Sequence, residues 1–141
     1  MTERRWEPPG PLRRPARRAA ALARLLALLP PAVLAPILRA VVRRCRRAGH
    51  DDVLEWRNAV NSVSPRCAGN GCLQRSVAVV LLGATRRQAP TWCTGFRTEP
   101  FLAHAWVEVD GVPVGEPAVI QQYHRVVVIG PRRVSERGTG E

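Results

Sequence analysis

The sequence contains no lysine. All 22 basic residues among its 141 are arginines, and they are unevenly placed. Residues 1–50 carry 12 arginines against Glu3 and Glu7, whereas residues 51–141 carry 10 arginines against nine acids. The basic character therefore belongs to the N-terminal third, and the rest is nearly neutral. A solvated arginine-rich face accounts for this without any partner; an acidic or nucleic-acid partner is the functional alternative. No zinc finger, helix-turn-helix signature or interleaved aromatic patch accompanies the charge. No nucleic-acid partner is therefore expected, and a non-enzymatic nucleic-acid-binding protein stands as the rival from another class.

Long apolar runs are missing too. The most apolar window, Leu25 to Leu38, spans 14 residues; Pro30, Pro31 and Pro36 break it, and Arg24 and Arg39 close it. A membrane-spanning helix needs about 20 apolar residues. No span is expected, and the window reads as two core-facing helices split at the prolines, with peripheral membrane contact the lesser reading. No signal-peptide pattern follows the charged start Thr-Glu-Arg-Arg-Trp. A cytoplasmic, reducing setting is the expectation, with Cys45, Cys67, Cys72 and Cys93 as thiols. The spacings of Cys67, Cys72, Cys93 and His104 match no common structural zinc pattern, so neither a metal nor another cofactor is expected. No internal repeat is visible, and the length suits one domain.

What is present has a clear order. Residues 1–15, with four prolines and four arginines, read as a disordered basic arm. Residues 16–130 read as the domain, and 131–141 as a flexible tail. Helices are expected over 16–29 and 32–47, the second with Val33, Ile37, Val41 and Cys45 on its apolar stripe. A third helix, capped by Asp51 or Asp52, carries Val53, Trp56, Val60 and Val63 and ends at Ser64-Pro65. Residues 65–71 form a glycine-containing loop. The run from Cys72 is apolar on nearly every side after Ser76, which predicts a buried central helix. Strands are expected at 91–97, 102–109, 112–119 and 123–129. Helices first and antiparallel strands after make an α+β domain.

Two residues stand out chemically. Cys72 lies where the loop meets a helix start, and the partial positive charge there favours the thiolate, the reactive form. His104 begins a strand that leads into a hairpin at Asp110-Gly111. An imidazole beside a thiol, held by a third group, is the arrangement of a cysteine nucleophile. The hairpin can supply that group in one of two registers. A three-residue turn, Val109-Asp110-Gly111, pairs Val112 with Glu108 and sets Glu116 opposite His104, about 5 Å away at Cβ. A two-residue turn sets Pro117 opposite His104 and sends Glu116 to the other face. The sequence fits either, and only the first makes a triad. Glu108 lies about 13 Å along the strand from His104, and Asp110 is farther still. Trp106 shares the His104 face and either walls the site or belongs to the core.

The motifs Cys72-Leu-Xaa-Arg-Ser and Pro100-Phe101-Xaa-Ala-His-Ala-Trp-Val-Glu resemble those of the lasso-peptide leader peptidases, over roughly residues 20–130. These are the transglutaminase-like protease half of the lasso B protein. The resemblance implies a catalytic helix and N-terminal helices packed on a small antiparallel sheet, in a transglutaminase-like or papain-like fold. It implies removal of the leader from a ribosomally made precursor peptide, with a small leader-recognition protein and a lasso cyclase as partners. The family's cysteine falls on Cys72, its histidine on His104, and its third member, usually aspartate, on Glu116. Such chemistry needs oxyanion donors, for which the Cys72 N–H, Asn70 and Gln74 are candidates. Acyl transfer would use the same triad and differ only in the nucleophile that resolves the thioester.

Overall fold

The computed structural model describes residues 10–131. Five helices precede a small antiparallel sheet, the α+β order read from the sequence. Helix α1 (Gly10–Leu26) buries Leu12, Ala16, Ala19, Ala20 and Ala23. These small side chains let its backbone approach α5 (Cys72–Ala84) and α3 (His50–Val63). The helix begins inside the stretch expected to be a disordered arm. Leu12 is in helical register with Ala16 and Ala19, and its burial offsets the hydrogen bond lost at Pro15. Residues 1–9 and 132–141, the rest of the expected arm and nearly all of the expected tail, lie outside the described residues.

Helix α2 (Pro31–Arg43) begins with proline at its first position, where a missing N–H costs nothing. It buries Leu34, Leu38 and Val42 rather than the expected Val33, Ile37 and Val41. Each expected residue is followed by another aliphatic one, so the 3.6-residue period fits either stripe. The helix also ends earlier than expected, because Arg46–Arg47 (β1) pairs in parallel with Gln88–Ala89 (β2). In α3 the N-cap is Gly49, not an aspartate. Asp51 and Asp52 lie in the first turn, where carboxylates oppose the helix dipole. The expected loop at 65–71 contains a one-turn helix, α4 (Pro65–Ala68), capped by Ser64 Oγ accepting from the Cys67 N–H at 3.2 Å.

Helix α5 is the centre of the domain, with Val77, Ala78, Val79, Val80 and Leu82 fully buried. It rests on a four-stranded sheet whose strands lie in the order β5 (Val112–Pro113), β4 (Leu102–Val109), β3 (Thr91–Arg97), β6 (His124–Ile129). Strands β3 (Thr91–Arg97) and β4 (Leu102–Val109) have the bounds expected from the sequence and pair without interruption from Thr91↔Glu108 to Arg97↔Leu102. Trp92, Val107, Val109 and Ile129 belong to the main core. The Trp92 Nε1–H donates to Ser76 Oγ at 3.0 Å, pinning α5 to β3. On the opposite face Cys93, Trp106 and Ile120 form a second, smaller cluster with Tyr123.

The third expected strand is the main departure. It is only two residues long, β5 (Val112–Pro113), and a 3₁₀ turn at Ala118–Gln122 precedes β6 (His124–Ile129). Its register is Glu108↔Pro113 and Val109↔Val112. The hairpin is therefore the two-residue kind, and the three-residue turn that favoured a triad is not formed. Asp110 and Gly111 both have positive φ, 53° and 79°, as a tight hairpin of matching twist requires.

Candidate active site

Cys72 is the first residue of α5 and is half-buried. It is reached from below by β4. The His104 ring and the Ala105 backbone N–H face the Cys72 sulfur and favour its thiolate. Burial alone pushes this thiol up; the bonds from His104 and Ala105, with the charges of His104 and Arg75, overcome it and hold Cys72 below the ordinary thiol value. The other cysteines are held differently. Burial raises Cys45 and Cys67, and burial beside Glu108 pushes Cys93 up to about 12. Of four free thiols, one is set up to ionise.

His104 lies between that sulfur and a carboxylate. Its Nε2 is 3.1 Å from Glu116 Oε2, which leaves Nδ1 as the nitrogen available to Cys72. Hydrogen bonds to Cys72 and to Glu116 outweigh burial and raise His104 to about 9. Glu116, with a side chain only 5% exposed, would be raised by burial. The His104 bond and charge, then Arg57 and Arg75, bring it below the ordinary carboxylate value instead. The three groups thus favour a thiolate, an imidazolium and a carboxylate in a row. Trp106 stacks on the imidazole, centroids 5.9 Å apart and planes 15° from parallel, and Tyr123 closes another side at 5.6 Å.

Glu116 arrives although the hairpin has the register expected to send it away. That expectation assumed a ladder continuing to residue 117. Pairing instead ends once the Val114 N–H has donated to Val107 O at 3.0 Å. Gly115 then takes φ +70°, a left-handed turn that suits glycine. A Cβ there would also lie 2.7 Å from Arg57 Cδ. The turn frees Glu116 from strand alternation and swings its carboxylate toward His104.

A match to a family model, described as the transglutaminase-like superfamily, covers residues 16–128. The chain belongs to the transglutaminase-like superfamily. Comparison with curated proteins and with solved structures returned no match. The superfamily includes cysteine peptidases and acyltransferases, and the thiol, imidazole and carboxylate of this transglutaminase-like domain suit acyl chemistry of either kind.

Other candidates are placed less uniformly in this transglutaminase-like domain. Asn70 is exposed two residues before Cys72. Gln74 does not face the thiol: it is buried and its Nε2 donates to Ala20 O of α1 at 2.9 Å. Residues two apart on a helix point in different directions, so Gln74 is removed as an oxyanion donor. The Cys72 N–H belongs to the first turn of α5, whose leading N–H groups have no intrahelical acceptor. Among the described residues no group of three or more His, Cys, Asp or Glu is arranged to hold a metal, and no helix is long and apolar enough to cross a membrane.

Two arginines were not singled out in the sequence. Arg75 is buried on α5, and its Nη1 donates to Cys67 O at 2.7 Å and Gly69 O at 3.3 Å. It ties the loop before Cys72 to the helix that Cys72 begins. Arg57 of α3 places Nη2 3.9 Å from Glu116 Oε1. Arg75 stood in the motif next to Cys72, a signal that pointed to it without a role; for Arg57 the helical pattern held no signal.

Proposed function

We propose that this protein is a cysteine peptidase that removes the leader from a ribosomally made lasso precursor peptide. The observation that carries the reading is His104 between the Cys72 thiol and the Glu116 carboxylate, the latter at 3.1 Å. The motif resemblance supplies the substrate class. In the proposed reaction the Cys72 thiolate adds to the carbonyl carbon of the last leader residue. The Cys72 N–H, with Asn70 as a second candidate, donates to the oxygen that becomes negative. The C–N bond breaks as the His104 imidazolium gives its proton to the departing core amine. The leader is then held as a thioester. Neutral His104 takes a proton from water, the resulting hydroxide adds to the thioester, and the C–S bond breaks to restore the thiolate and imidazolium. Glu116 keeps the ring oriented and the imidazolium favourable throughout.

Recognition of the leader by a separate small protein, and closure of the ring by a cyclase, belong to the same proposal. An amine in place of water would make the reaction an acyl transfer. Incubating a lasso precursor with the protein and its leader-binding partner, then weighing the products, tests the reading. Free leader ending in a carboxylate is the expected product. A leader joined to an added amine would identify an acyltransferase, and an uncleaved precursor would overturn the proposal.

A further inference from the structure

Beside the candidate thiol, one strand edge is left open. The β4–β5 ladder consists of Val109↔Val112 and Glu108↔Pro113, followed by the single bond from the Val114 N–H to Val107 O. Among the described residues no backbone group pairs with Ala103 or Ala105 on that side. The direction of their polar groups follows from Val107. In an antiparallel strand the N–H and C=O of alternate residues point to the same side. Val107 O faces β5, and β4 pairs with β3 without a shift, so Ala105 and Ala103 face that way too. The Ala105 N–H faces the Cys72 sulfur, which places the thiol on this edge, and Ala105 itself is buried, 4% exposed. Both polar groups of Ala103 lie farther along the edge. Ala103 is exposed, and Phe101 and Leu102, 70% and 45% exposed, adjoin it. The other edge of the sheet, β6, is separated from β4 by β3.

We propose that the substrate is bound as an added β-strand along the Ala103–Ala105 edge of β4, through its peptide backbone, which carries the scissile carbonyl past Cys72. The inference rests on the peptidase reading and specifies its binding mode. An exposed strand edge is a template for an extended peptide, which docks by main-chain hydrogen bonds. The early end of β5 thus has two consequences: it lets Glu116 turn toward His104, and it vacates the edge that a peptide needs. Backbone pairing demands no particular side chain, so a generic extended peptide is a sufficient probe.

The test uses acetyl-tetraalanyl chloromethyl ketone, whose chloride the Cys72 thiolate displaces to form a thioether. The parent reagent is compared with four analogues, each N-methylated at one amide, and labelling of Cys72 is followed by mass spectrometry. Amides facing the edge should slow labelling roughly 10-fold or more when methylated, and their neighbours should not, giving a period of two along the peptide. Ala103→Pro removes the outward N–H, a substitution an edge strand tolerates where its N–H faces away from the sheet. It deletes the donor to a substrate carbonyl but keeps the Ala103 carbonyl that accepts from a substrate N–H, so labelling by the parent reagent should slow roughly 10-fold while the alternation among the analogues remains; a melting curve checks its fold, and the analogue series on the unaltered protein stands without it. Equal labelling by all five reagents, or an unchanged parent rate in folded Ala103→Pro, would overturn the proposal. Iodoacetamide separates the two levels of argument. If it too fails to prefer Cys72 over Cys45, Cys67 and Cys93, the peptidase reading falls, and the strand-addition mode with it.

Discussion

His104 Nε2 and Glu116 Oε2 lie 3.1 Å apart, although the ladder that carries His104 ends at the Val107–Val114 bond and never reaches Glu116. The contact depends on how the chain leaves the sheet. Gly115, at φ +70° and packed against Arg57, makes the departure possible.

Gly115→Ala should therefore damage the site from outside it. A left-handed alanine costs about 1–2 kcal/mol, and its Cβ must displace the Arg57 side chain. A lower melting temperature is expected together with a lower cleavage rate. A mutant with the melting temperature reduced and cleavage unchanged would separate this turn from the orientation of Glu116.

Cys72→Ala should abolish cleavage of a lasso precursor and leave the fold intact, since Cys72 is only half-buried at the start of α5. Cys67→Ala and Cys93→Ala should keep activity. Both thiols are fully buried, so the cost should appear in stability, about 1 kcal/mol for a small buried side chain. Mass spectrometry of the digest and a melting curve check both halves. Cleavage by Cys72→Ala would end the peptidase reading.

Much of this was legible in the sequence because it rested on strong local patterns. The Asp110-Gly111 turn signal and the alternation around it set the bounds of β3 and β4, and the apolar run after Ser76 marked α5. Two failures have physical causes. The paired aliphatics Val33/Leu34, Ile37/Leu38 and Val41/Val42 satisfy helical spacing in either of two phases, so only packing selects one. The reach of Glu116 depends on where a ladder stops, and a single Gly115 in a run of strand-compatible residues does not announce that. Gln74 looked available because sequence distance from Cys72 is short, but its helical direction takes it to α1. Arg57, on another helix, is brought to Glu116 by tertiary packing alone.

Arg75 should tune the thiol as well as hold its loop. Arg75→Lys keeps the positive charge but cannot make the same fork to Cys67 O and Gly69 O. Arg75→Ala loses both and leaves two carbonyls without this donor. Stability should fall for both, by about 1–3 kcal/mol per lost charged hydrogen bond. The two variants should differ in the pH at which Cys72 becomes reactive to iodoacetamide. Alanine should move that pH upward, and lysine much less. Identical pH profiles would reduce Arg75 to a structural role.

Cleavage of free precursor should be slow and should rise when the leader-binding partner is added. The described fold is taken up by one catalytic helix, its supporting helices and a small sheet, with no second domain for leader recognition among the described residues. Comparing initial rates with and without the partner checks this; equal rates would remove delegated recognition.

Glu116→Gln preserves shape and removes charge, so it isolates what the carboxylate does. In serine triads the corresponding change costs about four orders of magnitude in turnover, chiefly through the wrong imidazole tautomer. A thiol ionises more readily than a hydroxyl, so a loss of roughly 10- to 1,000-fold in kcat is expected here, with KM little changed. The pH dependence supplies the sign. The reactive pair forms as Cys72 loses its proton, below the ordinary thiol range, and is lost as His104 loses its own near pH 9. Glu116 raises His104 through a hydrogen bond and through its charge. Removing the charge must lower the His104 value, so the alkaline limb of the rate profile should move toward neutral pH. Asp110→Asn is the control. Asp110 sits at the hairpin tip in an exposed ion pair with Arg47, and its loss should change neither the rate nor the limb appreciably. An unmoved alkaline limb in Glu116→Gln, or a larger defect in Asp110→Asn, would mean that another group orients His104 during turnover.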